Sequence, residues 1–191
     1  MAEIYQPDED SYLLSEILEA EVPRLLKEDK NIKFLEIGSG SGIQLTTLKN
    51  LGVKNIDCVD INPESVKHCK KLGFNCKISN LFKTFERKVK RRKPWCPRKF
   101  EVIIFNPPYL PFDSREPKSS GIATTGGKKG SEIINRFLKQ TKNHLAKNGR
   151  IFLVTSSLTK GIDFSGYNKK ILDSKKLFFE ELFVLELTIR L

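Results

Sequence analysis

Short apolar runs alternate with amphipathic stretches along most of the chain. Five runs, at residues 31–36 (NIKFLE), 55–59 (NIDCV), 74–79 (FNCKIS), 100–105 (FEVIIF) and 150–155 (RIFLVT), have the length and apolar content of buried strands. Between them, residues 43–51 and 64–72 have helical spacing, with Pro63 at the first turn of the second. Residues 131–145 carry apolar side chains at 133, 134, 137, 138 and 145, which predicts a helix stopped by Asn148-Gly149. Ahead of the first strand, Pro7-Asp8-Glu9-Asp10-Ser11 leads into apolar residues at three-to-four spacing. Asp10 or Ser11 is the predicted cap of a helix of roughly ten residues. Pro23 either ends that helix or opens a second. Residues 167–172 predict a short helix, and 177–179 with 182–191 predict a closing β hairpin. Strands alternating with helices, followed by a β pair, predict an α/β sheet with helices on both faces.

Composition narrows the class. At 191 residues the chain is long enough for one sizeable core, so residues 1–191 are expected to form one domain. It is 39% hydrophobic and 30% charged, an ordinary globular balance, and no apolar run reaches the length of a membrane span. The N-terminus has no basic and then apolar leader pattern. Cys58, Cys69, Cys76 and Cys96 lack C-x-x-C spacing and read as reduced thiols of a cytoplasmic protein, with no metal site. The net charge of +11 suggests a polyanionic neighbourhood. Most of the excess lies in residues 83–99, which hold nine Lys or Arg, one Glu and Trp95. Such a block is either a solvated stretch or a phosphate-contacting one, so RNA or a ribonucleoprotein is a candidate partner.

The candidate chemistry sits at strand ends. Gly38-Ser39-Gly40-Ser41-Gly42 follows the first strand and opens a helix, as in a nucleotide-type βαβ unit. Glu36 precedes the glycines, and Asp60 ends the second strand, where a carboxylate grips ribose hydroxyls. Ile61 is suited to cover an adenine face, and Asn80-Leu81 to meet its edge. The absence of Lys after the glycines argues against a triphosphate. Asn106-Pro107-Pro108-Tyr109 ends the fourth strand. The Asn106 side-chain oxygen and the Pro107 carbonyl can accept the two N–H bonds of a planar NH2 group. The prolines stiffen the loop, and Tyr109 offers a face for stacking. Residues 110–130 form a long polar connection beside this loop, expected to face the substrate.

Together, Glu36-x-Gly-Ser-Gly-Ser-Gly42, Asp60-Ile-Asn-Pro and Asn106-Pro-Pro-Tyr109 resemble the class I S-adenosylmethionine-dependent methyltransferases. Tyr5-x-Pro-x-Glu9-Asp10-Ser11, with Gly121-Ile122, Gly126-Gly127, Gly130 and Arg136-Phe137, is similar to the HemK-related glutamine methyltransferases, in their small eukaryotic and archaeal branch. The resemblance implies a Rossmann-like, mostly parallel seven-stranded sheet with a C-terminal antiparallel hairpin. It implies that Ser11, Glu36, Gly38, Gly40, Asp60, Ile61, Asn80, Leu81 and Asn106 hold S-adenosylmethionine. Asn106, Pro107, Pro108 and Tyr109 would hold the acceptor, the glutamine amide of a Gly-Gly-Gln loop in a class I release factor. It also implies a small zinc-binding activator subunit paired along residues 74–79. Relatives commonly have Asp where this chain has Asn80, and the basic insert at 83–99 is longer and more charged than the resemblance leads one to expect. Two other functions fit the same motifs: an RNA base amino-methyltransferase, and a non-catalytic subunit with the methyltransferase fold.

Overall fold

The computed structural model describes residues 4–86, 97–113 and 124–190. Most of the basic block, Trp95, Cys96 and Gly121-Ile122 therefore lie outside the described residues. The elements in order are α1 (Glu9–Glu28), β1 (Lys33–Ile37), α2 (Ile43–Asn50), β2 (Asn55–Asp60), α3 (Pro63–Lys71) and β3 (Cys76–Ile78). A single 3-10 turn (Lys83–Phe85) precedes β4 (Phe100–Phe105), β5 (Leu110–Pro111) and β6 (Thr125–Gly127). The chain continues with α4 (Glu132–Thr141), β7 (Leu145–Ser156), β8 (Tyr167–Lys176) and β9 (Glu181–Ile189).

Seven strands form one sheet in the order β3-β2-β1-β4-β7-β9-β8. Strands β3, β2, β1, β4 and β7 are parallel, and β9 runs against both β7 and β8. The central strands are apolar without alternation because both faces are covered. Val102, Ile103 and Ile104 of β4 are all fully buried. The connections through α2 and α3 step outward from β1 in one direction, and the connection through α4 steps the other way. Right-handed crossovers then put α4 on the face opposite α2 and α3. The strand order reverses between β1 and β4, which is where open α/β sheets leave a crevice beyond the strand C-termini.

Several boundaries differ from the sequence expectation. Helix α1 has 20 residues and carries Pro23 in its interior. Pro23 removes one backbone donor, but Leu18, Val22 and Leu25 keep the buried stripe running through it. The cap is Asp8, whose carboxylate accepts from the Glu9 N–H at 2.8 Å, so Asp10 and Ser11 fall inside the first turn. The helix predicted over 131–145 stops at Thr141, and Leu145 already begins β7. Asn148-Gly149 does not end a helix; it lies in β7, where Asn148 has φ +63° and the pairing with β4 shifts register. Residues 167–172 are not a helix but the start of β8, and 177–179 are the turn of the hairpin and not a strand.

Candidate active site

A cleft of about 530 Å³ opens at the C-terminal ends of β1, β2 and β4. Its walls include Ser11, Gly38, Gly40, Asp60, Ile61, Asn80, Leu81, Asn106, Pro107, Pro108 and Tyr109. The structure thus brings eleven of the predicted site residues together around one space. Glu36 is the exception: it is 3% exposed and does not line the cleft.

The glycine loop is shaped by Asp60. Its carboxylate accepts from the Gly40 N–H at 2.8 Å and from the Asn62 N–H at 2.7 Å. Gly38 adopts φ +71°, and a Cβ there would lie 3.5 Å from the Phe105 ring, so the turn stays tight against the end of β4. Burial pushes the Asp60 carboxyl up, and the N–H groups of Asn62, Gly40 and Ile61 pull it back. Asn80 accepts from Arg136 Nη2 through Oδ1 at 3.0 Å. Arginine has no acceptor, so this contact fixes the amide orientation and leaves one lone pair and the NH2 group for a ligand. Among the described residues lining the cleft, Arg136 is the one cation, against Asp8, Asp10, Asp60 and Glu180. That balance suits a cationic ligand without phosphates.

Glu36 sits behind the loop with Oε2 unpartnered among the described residues. Burial, then Cys69 and Asp60, raise its carboxyl well above the usual range. A raised folded-state value means that its contribution to stability is complete below the ordinary carboxylate range and is lost as pH rises through the raised value. Glu36→Gln should therefore melt higher than the parent at alkaline pH, with the gap shrinking toward acid. Thermal melts across pH without ligand check this; a gap that does not change with pH contradicts it.

The acceptor loop is held from both sides. Asp10, in the first turn of α1, accepts from the Tyr109 hydroxyl at 3.2 Å, from the Tyr5 hydroxyl at 3.2 Å and from the Ser11 N–H at 2.6 Å. Burial, and then the Asp10 charge, push the Tyr109 hydroxyl far above its usual range, so it stays protonated and donates. Thr159 donates to the Tyr109 carbonyl at 2.9 Å. Parallel pairing of β5 with β6 lays residues 125–127 against the loop. Inside this frame, Asn106 Oδ1 is buried and has no hydrogen-bond partner among the described residues. The sequence analysis assigned no role to Tyr5, Gln44 or Thr159 by themselves, and gave Asp10 only a capping role, which Asp8 fills instead. Gln44 ties α2 to α1 by donating to the Ser11 carbonyl at 2.8 Å. The Tyr5–Asp10 motif was the one visible signal, and its function appears only through a contact 99 residues away.

Two described residues of the basic block, Arg98 and Lys99, are engaged within the protein. Arg98 pairs with Asp57 through both nitrogens and lies 5.2 Å from the Phe100 ring. Lys99 donates to the Leu145 carbonyl at 3.2 Å. No group of three metal-ligating side chains occurs among the described residues, and no described helix is long and apolar enough to cross a membrane.

The sheet order, the strand-end cleft and the antiparallel β9 together define a Rossmann-like methyltransferase fold. The structure superimposes on one chain of the E. cuniculi Mtq2–Trm112 complex with a TM-score of 0.68 at 23% identity, over 100% of this chain and 100% of that one. In sequence, the chain is 37% identical to a Methanocaldococcus jannaschii protein named for N5-glutamine methyltransferase activity, over 96% of this chain and 90% of that one. It is 33% identical to human methyltransferase HEMK2, over 81% of this chain and 72% of the relative. The family described as methyltransferase small domain matches residues 6–165. The chain belongs to that family, in its HemK-related part.

Proposed function

We propose that this chain, as one catalytic unit, transfers a methyl group from S-adenosylmethionine to the glutamine side-chain amide in the Gly-Gly-Gln loop of a class I peptide chain release factor. The observation that carries the reading is the Asn106 side-chain oxygen: a buried acceptor, on a residue lining the cleft, with no hydrogen-bond partner among the described residues. Buried polar atoms are normally satisfied, so an orphan on a cleft-lining residue points to a ligand donor.

The donor residues fit the cofactor. Asp60 keeps lone pairs for ribose hydroxyls while bracing the glycine loop, and Ile61, 55% exposed, offers an apolar face for the base. Asn80, Leu81 and Ser11 complete the wall, and Glu36 backs it. The cofactor, when bound, supplies an electrophilic methyl group. An amide nitrogen is a weak nucleophile because its lone pair is delocalised. Asn106 Oδ1 and the Pro107 carbonyl accept its two N–H bonds, drawing the lone pair back to nitrogen and aiming it. Tyr109 packs against the amide plane, and Asp10 fixes the Tyr109 hydroxyl so that the ring cannot swing. No strong base is needed, because the nitrogen becomes acidic once methylated.

The names of the archaeal relative and of the Mtq2–Trm112 neighbour support the substrate class and a small partner subunit. We assign the exposed edge of β3, where Ile78 is 59% exposed, to that partner, and propose that the partner binds zinc. The test is labelled S-adenosylmethionine offered with purified release factor and, separately, with total RNA, with the partner present. Label on the release factor glutamine is expected. Label on RNA alone overturns the substrate, and cofactor binding without transfer to either overturns catalysis.

A further inference from the structure

Strand β8 runs antiparallel to β9, and β9 antiparallel to β7, so β8 points the same way as the parallel strands. The turn that joins β8 to β9 therefore lies on the same edge of the sheet as the cleft. Leu177 donates to the Glu180 carbonyl at 2.8 Å and closes this turn, which contains no Gly, Asn or Pro. It contains Phe178 and Phe179 instead, 92% and 83% exposed, with ring centroids 4.7 Å apart in an edge-to-face pair. Folding buries almost nothing of either ring. Lys175 and Lys176 flank the pair on one side, and Glu180 and Glu181 on the other, giving an apolar centre with a charged rim.

The turn is tied to the acceptor loop by a short series of bonds. Glu181 and Ser157 exchange two bonds, Ser157 N–H to the Glu181 carbonyl at 2.8 Å and Glu181 N–H to Ser157 Oγ at 3.0 Å. Ser156 Oγ donates to the Glu180 carboxylate, and Glu180 itself lines the cleft. Two residues beyond Ser157, Thr159 donates to the Tyr109 carbonyl. Leu158, 39% exposed, lies between these anchors. On the other side, Lys175 pairs with Glu9 in the first turn of α1.

We propose that this hairpin tip is a docking surface for the body of the protein substrate, with Phe178 and Phe179 as its apolar anchors. The inference rests on the protein-amide reading of the cleft and extends it: the acceptor side chain enters the cleft while the surface around it seats on the tip. Two features select this occupant. The tip shares its sheet edge with the acceptor loop and is joined to it by the bonds above. It also stands at the β8 end of the sheet, opposite the β3 edge assigned to the partner subunit.

The experiment compares the parent with the double variant Phe178→Ser, Phe179→Ser, each with the partner subunit. Both are assayed on intact release factor and on a short peptide carrying its Gly-Gly-Gln loop. The variant should show KM for the intact factor raised by about tenfold or more, as for truncated aromatic anchors, with kcat unchanged. Its kcat/KM for the peptide should equal the parent's. An unchanged KM for the intact factor overturns the proposal, as does an equal loss on factor and peptide. So does sedimentation showing that the parent self-associates through the tip and the variant does not, because the occupant is then a second copy. If the parent methylates neither substrate, the reading of the cleft fails and carries this one with it. That failure is visible in the parent before any variant is assayed.

Discussion

Replacing Asn106 with alanine should leave a folded and nearly inactive protein. The side-chain oxygen has no partner among the described residues, so its removal breaks no recorded hydrogen bond and takes a buried unsatisfied atom away. Its work is done only when an acceptor amide is present. Losing one oriented polar contact to the reacting group costs on the order of 10²–10³ in kcat, by analogy with losing an oxyanion-hole donor. The melting temperature should stay within the narrow range of neutral substitutions. Single-turnover rates with saturating cofactor and substrate, beside a thermal melt, separate the two effects. Parental activity in Asn106→Ala would remove the acceptor role.

Gly126→Ala should be nearly as damaging, for a different reason. A Cβ at Gly126 would lie 2.2 Å from the Gly130 carbonyl oxygen and 2.5 Å from that of Pro108. Both neighbours are backbone, so neither can rotate aside. One of them is the carbonyl of the acceptor loop itself. Overpacking of this kind costs about 1–3 kcal/mol of stability, and a shift of the loop by about 1 Å can cost about 10²-fold in rate. A lower melting temperature together with a fall in kcat is expected. A variant that melts lower but keeps full kcat would show that β6 supports the fold without setting the geometry of residues 106–109.

The strand-end chemistry was legible because it is local. A glycine turn after an apolar run, an Asp at the end of the next strand and a Pro-Pro loop each announce their conformation in a few residues. Strand β4 was read at its observed bounds, since its buried apolar run Val102–Phe105 ends just before a pair of prolines. Strand β8 was not legible. It is an edge strand with exposed lysines at 169, 170, 175 and 176, and its order comes from backbone pairing with β9 and not from its own pattern. The length of α1 was hidden by Pro23, because the packing that carries the helix past a proline is tertiary.

At the site, two things could not be read from spacing. One is depth: Glu36 and Asp60 both lie near strand ends, yet the register sets Glu36 opposite Cys58, two residues short of Asp60, so Glu36 is sealed behind the glycine loop while Asp60 lines the cleft. The other is the Asp10 hub, which joins the start of α1 to Tyr109. Its geometry explains why an acidic run at a helix start does more than cap. Asp8 does the capping and releases Asp10 to hold the two tyrosines.

The most direct measurement is a crystal structure of the chain with S-adenosylhomocysteine and a peptide containing the Gly-Gly-Gln loop. The glutamine amide nitrogen should lie about 3 Å from Asn106 Oδ1, with the nucleoside ribose on Asp60. An amide bound elsewhere, or Asn106 turned out of the cleft with the peptide in place, would contradict the account.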